Sequence, residues 1–161
     1  LNDRGVIEAE KLRDELDFTP ELIMCSPLIR AYETAYIINE RFNLPLVPHN
    51  HLKERHFGSL AGKTWDEAEK ETGLPLRAMD VSLTFDYRPW GGESAIQFAT
   101  RAHAAILSAH GQFPDEIPIL FVVHGGIIRL LKHIYDNETL ELGAVQNCAI
   151  FSFDIPTTIP L

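Results

Sequence analysis

The chain has 161 residues, 45% hydrophobic and 23% charged, which suits one soluble globular domain and excludes a fibrous or disordered chain. Fourteen Lys and Arg against 23 Asp and Glu give a net charge of −9, excluding nucleic acid and anionic membranes as general partners but leaving room for a small anion held by a few gathered basic groups. No apolar run is long enough to cross a bilayer and the N-terminus has no signal-peptide pattern; Cys25 and Cys148, in apolar contexts without metal-ligand spacing, suggest buried free thiols in the cytoplasm.

Asn2 and Asp3 can cap a helix in which Val6, Ile7, Ala9, Leu12 and Leu16 form one apolar stripe. A domain seldom opens on a capped helix, and Leu1 reads as the tail of a loop whose earlier part is absent. Thr19-Pro20 ends the helix, and Leu22 to Cys25 is a short strand. Ser26-Pro27 pairs an N-cap with a proline at the first helical position; the helix beyond puts Leu28, Ala31, Ala35 and Ile38 on one face, with Arg30 near its start. Pro45 and Pro48 limit the next stretch to a connector with at most a short edge strand.

Leu52 to Gly62 sets charged and aromatic residues around Gly58 and Gly62, the pattern of a structured loop. Thr64 to Glu67 matches a capping box, and the helix it starts should stop near Gly73. The proline-interrupted stretch 74–90 has no clear period and could contribute to a lid. Pro89 to Ser94 turns into a long helix with Ile96, Ala99, Ala102, Ile106 and Ala109 on one face, stopping at Gly111.

Ile119 to Val123 is a continuous apolar run of the kind buried on both faces of a parallel sheet. His124 stands where the run ends, and Gly125 and Gly126 remove side chains where a ligand could approach the backbone. Helical spacing resumes through Ile134. Gly143 to Asn147 turns the chain, and Cys148 to Phe153 reads as a final strand before a proline-rich tail. This alternation predicts an α/β layered fold in a single domain over 1–161.

In such sheets the ligand crevice lies outside the carboxyl ends of the strands, beside helix N-termini that favour anions. His124 and Arg30 stand at two such corners, and Glu54 lies in the glycine-bracketed loop. Arg offers fixed donors to phosphate oxygens, His can act as acid, base or nucleophile, and Glu can deliver a proton to a leaving alkoxide, a kit for phosphate chemistry. Each alone has a plainer reading: His124 as a hydrogen-bonded strand end, Arg30 as a solvated helix residue, Ser26 as a cap. His49, His51, His56, His103, His110 and His133 lack mutual metal-ligand spacing; Trp65 and Trp90 read as packing residues, Arg77 and Arg88 as exposed charge.

Four blocks in this order resemble the histidine phosphatase superfamily, the phosphoglycerate mutase-like proteins: Leu1 to Gly5 with Glu8-Ala9, Ser26 to Ala31 with Thr34-Ala35, Leu52 to Gly62, and His124-Gly125-Gly126 with Arg129. The resemblance implies a three-layer α/β/α fold with a mostly parallel central sheet. It also implies that Arg30 holds the phosphoryl group, Glu54 is the proton donor and later the base for water, and His124 stabilises the transferring group. Arg30, Gly125 and Arg55 are the expected substrate-binding residues, with no metal or organic cofactor. The nucleophile of such proteins is a histidine in an Arg-His-Gly motif at the end of the first strand; no such motif occurs in 1–161, and the resemblance puts it ahead of Leu1.

His124-Gly125-Gly126 and Gly92-Glu93-Ser94 look more like the phosphatase branches than like the mutases, which carry tyrosine where Phe57 stands and a basic cluster unmatched between Gly62 and Trp90. The expected function is hydrolysis of a small phosphorylated metabolite through a phosphohistidine, by a monomer or homodimer. The alternatives are a phosphoglycerate mutase and a catalytically inactive anion-binding module of the same fold.

Overall fold

The computed structural model describes residues 1–112 and 117–154. Three parallel strands carry its centre: β1 (Leu22–Cys25) lies between β2 (Leu46–Pro48) and β3 (Ile119–Val122), with Ile23 opposite Leu46 and Leu120. Side chains alternate across a strand. Ile23 and Cys25 therefore pack on one side with Ala35, Leu46, Leu120 and Val122, while Met24 packs on the other with Phe98, Ile106, Ile127 and Leu130. Helices cover both faces: α1 (Asp3–Glu15) and α2 (Ile29–Asn39) on one, α5 (Ala95–His110) and α6 (Gly125–Asp136) on the other. This is the expected three-layer α/β/α arrangement. No described helix is long and apolar enough to cross a membrane.

Side-chain caps set the starts of three described α-helices. Asn2 Oδ1 accepts from Gly5 N at 2.9 Å and opens α1. Thr64 and Glu67 form a reciprocal capping box at α3 (Trp65–Thr72), which ends at Gly73 with φ 71. Ser94 and Gln97 make a second box at α5. Each such cap contributes about 1 kcal/mol.

Several expectations are corrected. The α1 stripe rests on Ala9 and Leu16, while Ile7 is 64% exposed. α2 starts at Ile29 rather than Pro27; Leu28 is extended, and Ser26 Oγ accepts from Leu28 N at 3.2 Å as a turn ahead of the helix. The α5 face is set by Phe98, Ala102, Ile106 and Ala109, whereas Ile96 is 79% exposed: one bulky residue at the helix start shifts the apparent phase.

The stretch 74–90 is not a lid. It forms α4 (Leu76–Val81) and then buries Phe85 and Tyr87, whose rings stack at 4.9 Å, inside the main core. Burying each ring contributes about 2–3 kcal/mol, so the segment is fixed by packing rather than by periodicity.

The largest departures lie beside β3. Its apolar run implies burial on both faces, yet every residue of β3 is only half-buried, because β3 is the outer strand and no described residue pairs with its free edge. Cys148 to Phe153 forms no strand: Cys148 has φ 55, which breaks an extended run, and the segment instead lines a cavity next to β3. The expected proline-rich tail lies outside the described residues.

Candidate active site

The carboxyl ends of β1 and β3 are neighbours because the strands are parallel, so the two corners that follow them meet. His124, extended at φ −119 and ψ 159, links β3 to α6. It is 7% exposed, and its Nε2 lies 2.7 Å from Oγ of the buried Ser26 at the other corner. Burial pushes His124 down to about 4; the nearby Glu54 opposes this, and Arg30 and Arg101 add to it. The ring is therefore neutral at neutral pH. Ser26, read as a cap, thus both closes the turn into α2 and contacts the imidazole.

Glu54 comes from the glycine-bracketed loop. Its Oε2 accepts from Gly126 N at 3.0 Å in the first turn of α6, and its Oε1 accepts from Arg55 N at 2.9 Å and Arg55 Nη1 at 3.3 Å. A Cβ on Gly126 would fall well inside contact distance of Arg55 Nη1 and Glu54 Oε1, so this glycine is what lets the carboxylate reach the helix end.

The loop itself is clamped. Arg101 on α5 donates from Nε and Nη2 to the two carboxylate oxygens of Glu93, at 2.9 and 2.6 Å. The same guanidinium donates to the carbonyls of His51, Lys53 and Glu54, at 2.6, 2.9 and 3.1 Å. Glu93 Oε1 also accepts from His56 N at 2.8 Å. Gly58 at φ 61 lets the loop lie against the Trp90 carbonyl, where a Cβ would collide with backbone. Arg101→Ala is expected to lower stability by about 3–5 kcal/mol, because it strands Glu93 and three carbonyls, and Arg101→Lys to restore less than half, because ammonium lacks the fork. Thermal unfolding by circular dichroism reads both.

A cavity of about 930 Å³ runs from these corners along β3. Arg30, Glu54, His124 and Gly125 line it together with residues of β3, α1 and 145–154, mostly apolar but with Glu8, Asn147 and Asp154 among them. Arg30, in the first turn of α2, is exposed to this space, and among the described residues no carboxylate pairs with it. The structure thus brings Arg30, Glu54, His124 and Gly125 to one place. Arg55 touches Glu54 but does not line the cavity, and its Nε pairs with Asp80 Oδ2 at 2.7 Å. Arg77 and Arg88 pair with Asp66 and Asp86 and lie away from the cavity.

Sequence reasoning missed Asp80, Glu93 and Arg101 as parts of this architecture. Glu93 and Arg101 fall eight residues apart across a capping box, a spacing that does not announce a pair. Asp80 sits between Met79 and Val81 in a short helix, and that apolar setting was the one available hint.

The model of the histidine phosphatase superfamily (branch 1) matches residues 1–157. Phosphoglycerate mutase-like protein 4 of Arabidopsis thaliana is 32% identical over 156 residues, covering 95% of this chain and 67% of its own length. Glucosyl-3-phosphoglycerate phosphatase of Mycobacterium tuberculosis is 30% identical over 120 residues, covering 70% of this chain and 53% of its own. Among solved structures, a mycobacterial glucosyl-3-phosphoglycerate phosphatase superposes with a TM-score of 0.73 at 28% identity, covering 83% of this chain and 66% of that one. A phosphoglycerate mutase from Bacillus anthracis gives 0.74 at 27%, covering 85% and 69%. The chain spans between about half and two thirds of the length of these relatives.

Proposed function

The chain belongs to the histidine phosphatase superfamily, branch 1, and from that premise we propose that the protein hydrolyses a small phosphorylated metabolite through a phosphohistidine intermediate. The observation that carries this reading is the meeting of Arg30, Glu54 and His124, far apart in sequence, in one cavity. Arg30 supplies a cation that no carboxylate pairs with among the described residues, and the first turn of α6, with Gly125 on the cavity wall, adds the favourable end of a helix dipole. His124, neutral at the outset, offers a ring nitrogen to the transferring phosphoryl group.

The chemistry then runs in two displacements. An imidazole nitrogen attacks phosphorus, the bond to the alcohol oxygen breaks, and Glu54 gives its proton to that oxygen. Glu54, now a carboxylate, takes a proton from water, which attacks the phosphohistidine and releases inorganic phosphate. The attacking histidine is proposed to lie ahead of Leu1, on a strand laid along the free edge of β3. Support comes from the half-buried apolar β3 and from the apolar cavity beside it, both of which a further strand would cover. The cytoplasm is the proposed compartment, in keeping with free Cys25 and Cys148.

Hydrolysis is favoured over mutase chemistry because a mutase must hold a second anionic group. Arg77 and Arg88 are already neutralised by carboxylates away from the cavity. The test is phosphate release from a chromogenic phosphomonoester by the intact protein, with Glu54→Gln beside it. The variant is expected to lose about 10²–10⁴-fold in kcat and to bind vanadate nearly as before. No release by the intact protein would end the hydrolase reading; isomerisation of 3-phosphoglycerate without release would put the mutase in its place. An unchanged kcat in the variant would remove Glu54 from the proton-donor role.

A further inference from the structure

Behind Glu54 lies a buried charge cluster that the proposed chemistry does not use. Asp80 on α4 is 0% exposed and accepts two hydrogen bonds, with a further guanidinium nitrogen in ion-pair contact. Arg55 Nε is 2.7 Å from its Oδ2, Tyr87 Oη donates to the same oxygen at 3.0 Å, and Arg129 Nη2 donates to Oδ1. Burial, reinforced by the Asp80 charge, pushes the Tyr87 hydroxyl up, so it stays a donor. Two carboxylates, Glu54 and Asp80, thus balance two buried guanidiniums, Arg55 and Arg129. Arg55 touches both carboxylates, but its contact with Asp80 at 2.7 Å is shorter than the 3.3 Å to Glu54. Arg129 forms its ion pair with Asp80, and its Nη1 has no hydrogen-bond partner among the described residues.

We propose that Asp80 is a positioning residue: by taking up the charge of Arg55 and Arg129 it keeps Glu54 from being drawn into a full ion pair, and so holds the Glu54 carboxylate on Gly126 N at the cavity wall. The physical basis is that an uncompensated buried guanidinium is costly and recruits whichever carboxylate remains. Without the Asp80 charge that carboxylate is Glu54, which touches Arg55 already. Its rotation toward Arg55 would break the 3.0 Å bond from Gly126 N and withdraw the proton-bearing oxygens from the cavity. Asp80 itself lines no part of the cavity, so anion binding should not feel its loss directly.

This inference rests on Glu54 as the proton donor, and the experiment separates the two. In the intact protein, the amide proton of Gly126 is followed by NMR in the parent, in Asp80→Asn and in Tyr87→Phe, beside steady-state kinetics on a chromogenic phosphomonoester. Asp80→Asn should move the Gly126 amide signal upfield, as expected when a charge-assisted hydrogen bond is lost, and lower kcat at least about tenfold with KM within about threefold. Tyr87→Phe keeps ring volume and all charges while removing one donor from Asp80; it should move the same signal in the same direction by less, and it serves if Asp80→Asn does not fold. An unmoved Gly126 amide in a folded variant overturns the positioning role, as does loss of stability with kcat unchanged. A moved signal in a protein without phosphatase activity would uphold the link and sink the hydrolase reading alone.

Discussion

Gly126→Ala is expected to cost about 10²-fold or more in kcat while lowering stability by only about 1–3 kcal/mol. The added methyl would overlap Arg55 Nη1 and the Glu54 carboxylate, and these are side-chain ends rather than backbone. The chain can therefore yield without unfolding, but only by moving the group proposed to deliver the proton. Arg55 cannot retreat freely, because Asp80 holds its other side, so Glu54 must give way. The loss should fall on kcat, with vanadate affinity changed less than about threefold. Stability loss matching the activity loss would mean that Gly126 serves packing alone.

His124→Ala should produce a second large effect, about 10³-fold on turnover, since the proposed role sets the ring against the transferring group in the cavity it shares with Arg30, which no carboxylate pairs with among the described residues. It carries a distinctive stability signature as well. His124 lies near 4 in the folded protein and at the ordinary 6.5 when unfolded. Between those values the unfolded chain binds more protons, so the parent loses stability as pH falls from about 6.5 to about 4, by up to about 3 kcal/mol. The variant lacks this term. Its deficit against the parent, largest above pH 6.5, should shrink toward pH 4 in denaturant melts, whereas a parallel offset at every pH would show that His124 is not buried neutral.

What the sequence revealed and what it hid divide along physical lines. Features fixed within a few residues were legible: β1, the capping box at Thr64, the left-handed stop at Gly73, and the strand, glycine pair and helix around His124. The meeting of Arg30 with His124 was legible too, because parallel neighbours carry their carboxyl ends to the same edge of the sheet. Burial that depends on neighbours was not. The run Ile119 to Val123 has the composition of a doubly covered strand, but coverage is a property of what lies beside it. Phe85 and Tyr87 follow no period, since a few aromatic contacts hold them. Asp80 looked like an ordinary helix carboxylate because the charges it compensates arrive from a loop and from α6, far away in sequence. Ile96 misled by being large at a position where the helix had not yet met the core.

The clamp around Glu54 explains why so much buried charge is retained so close to the cavity. Replacing such groups with apolar ones often stabilises a fold. Here they hold a loop carboxylate at the end of a helix, through Arg101 on one side and the Asp80 cluster on the other.

The most direct measurement is to mix the intact protein with a phosphomonoester carrying radioactive phosphate, quench within one turnover, and follow label on the protein. A phosphohistidine is stable in alkali and lost in acid. The account predicts protein-bound label with that behaviour, forming before inorganic phosphate appears and accumulating to less in His124→Ala. Phosphate release with no labelled protein at any time, or label that survives acid, would contradict it.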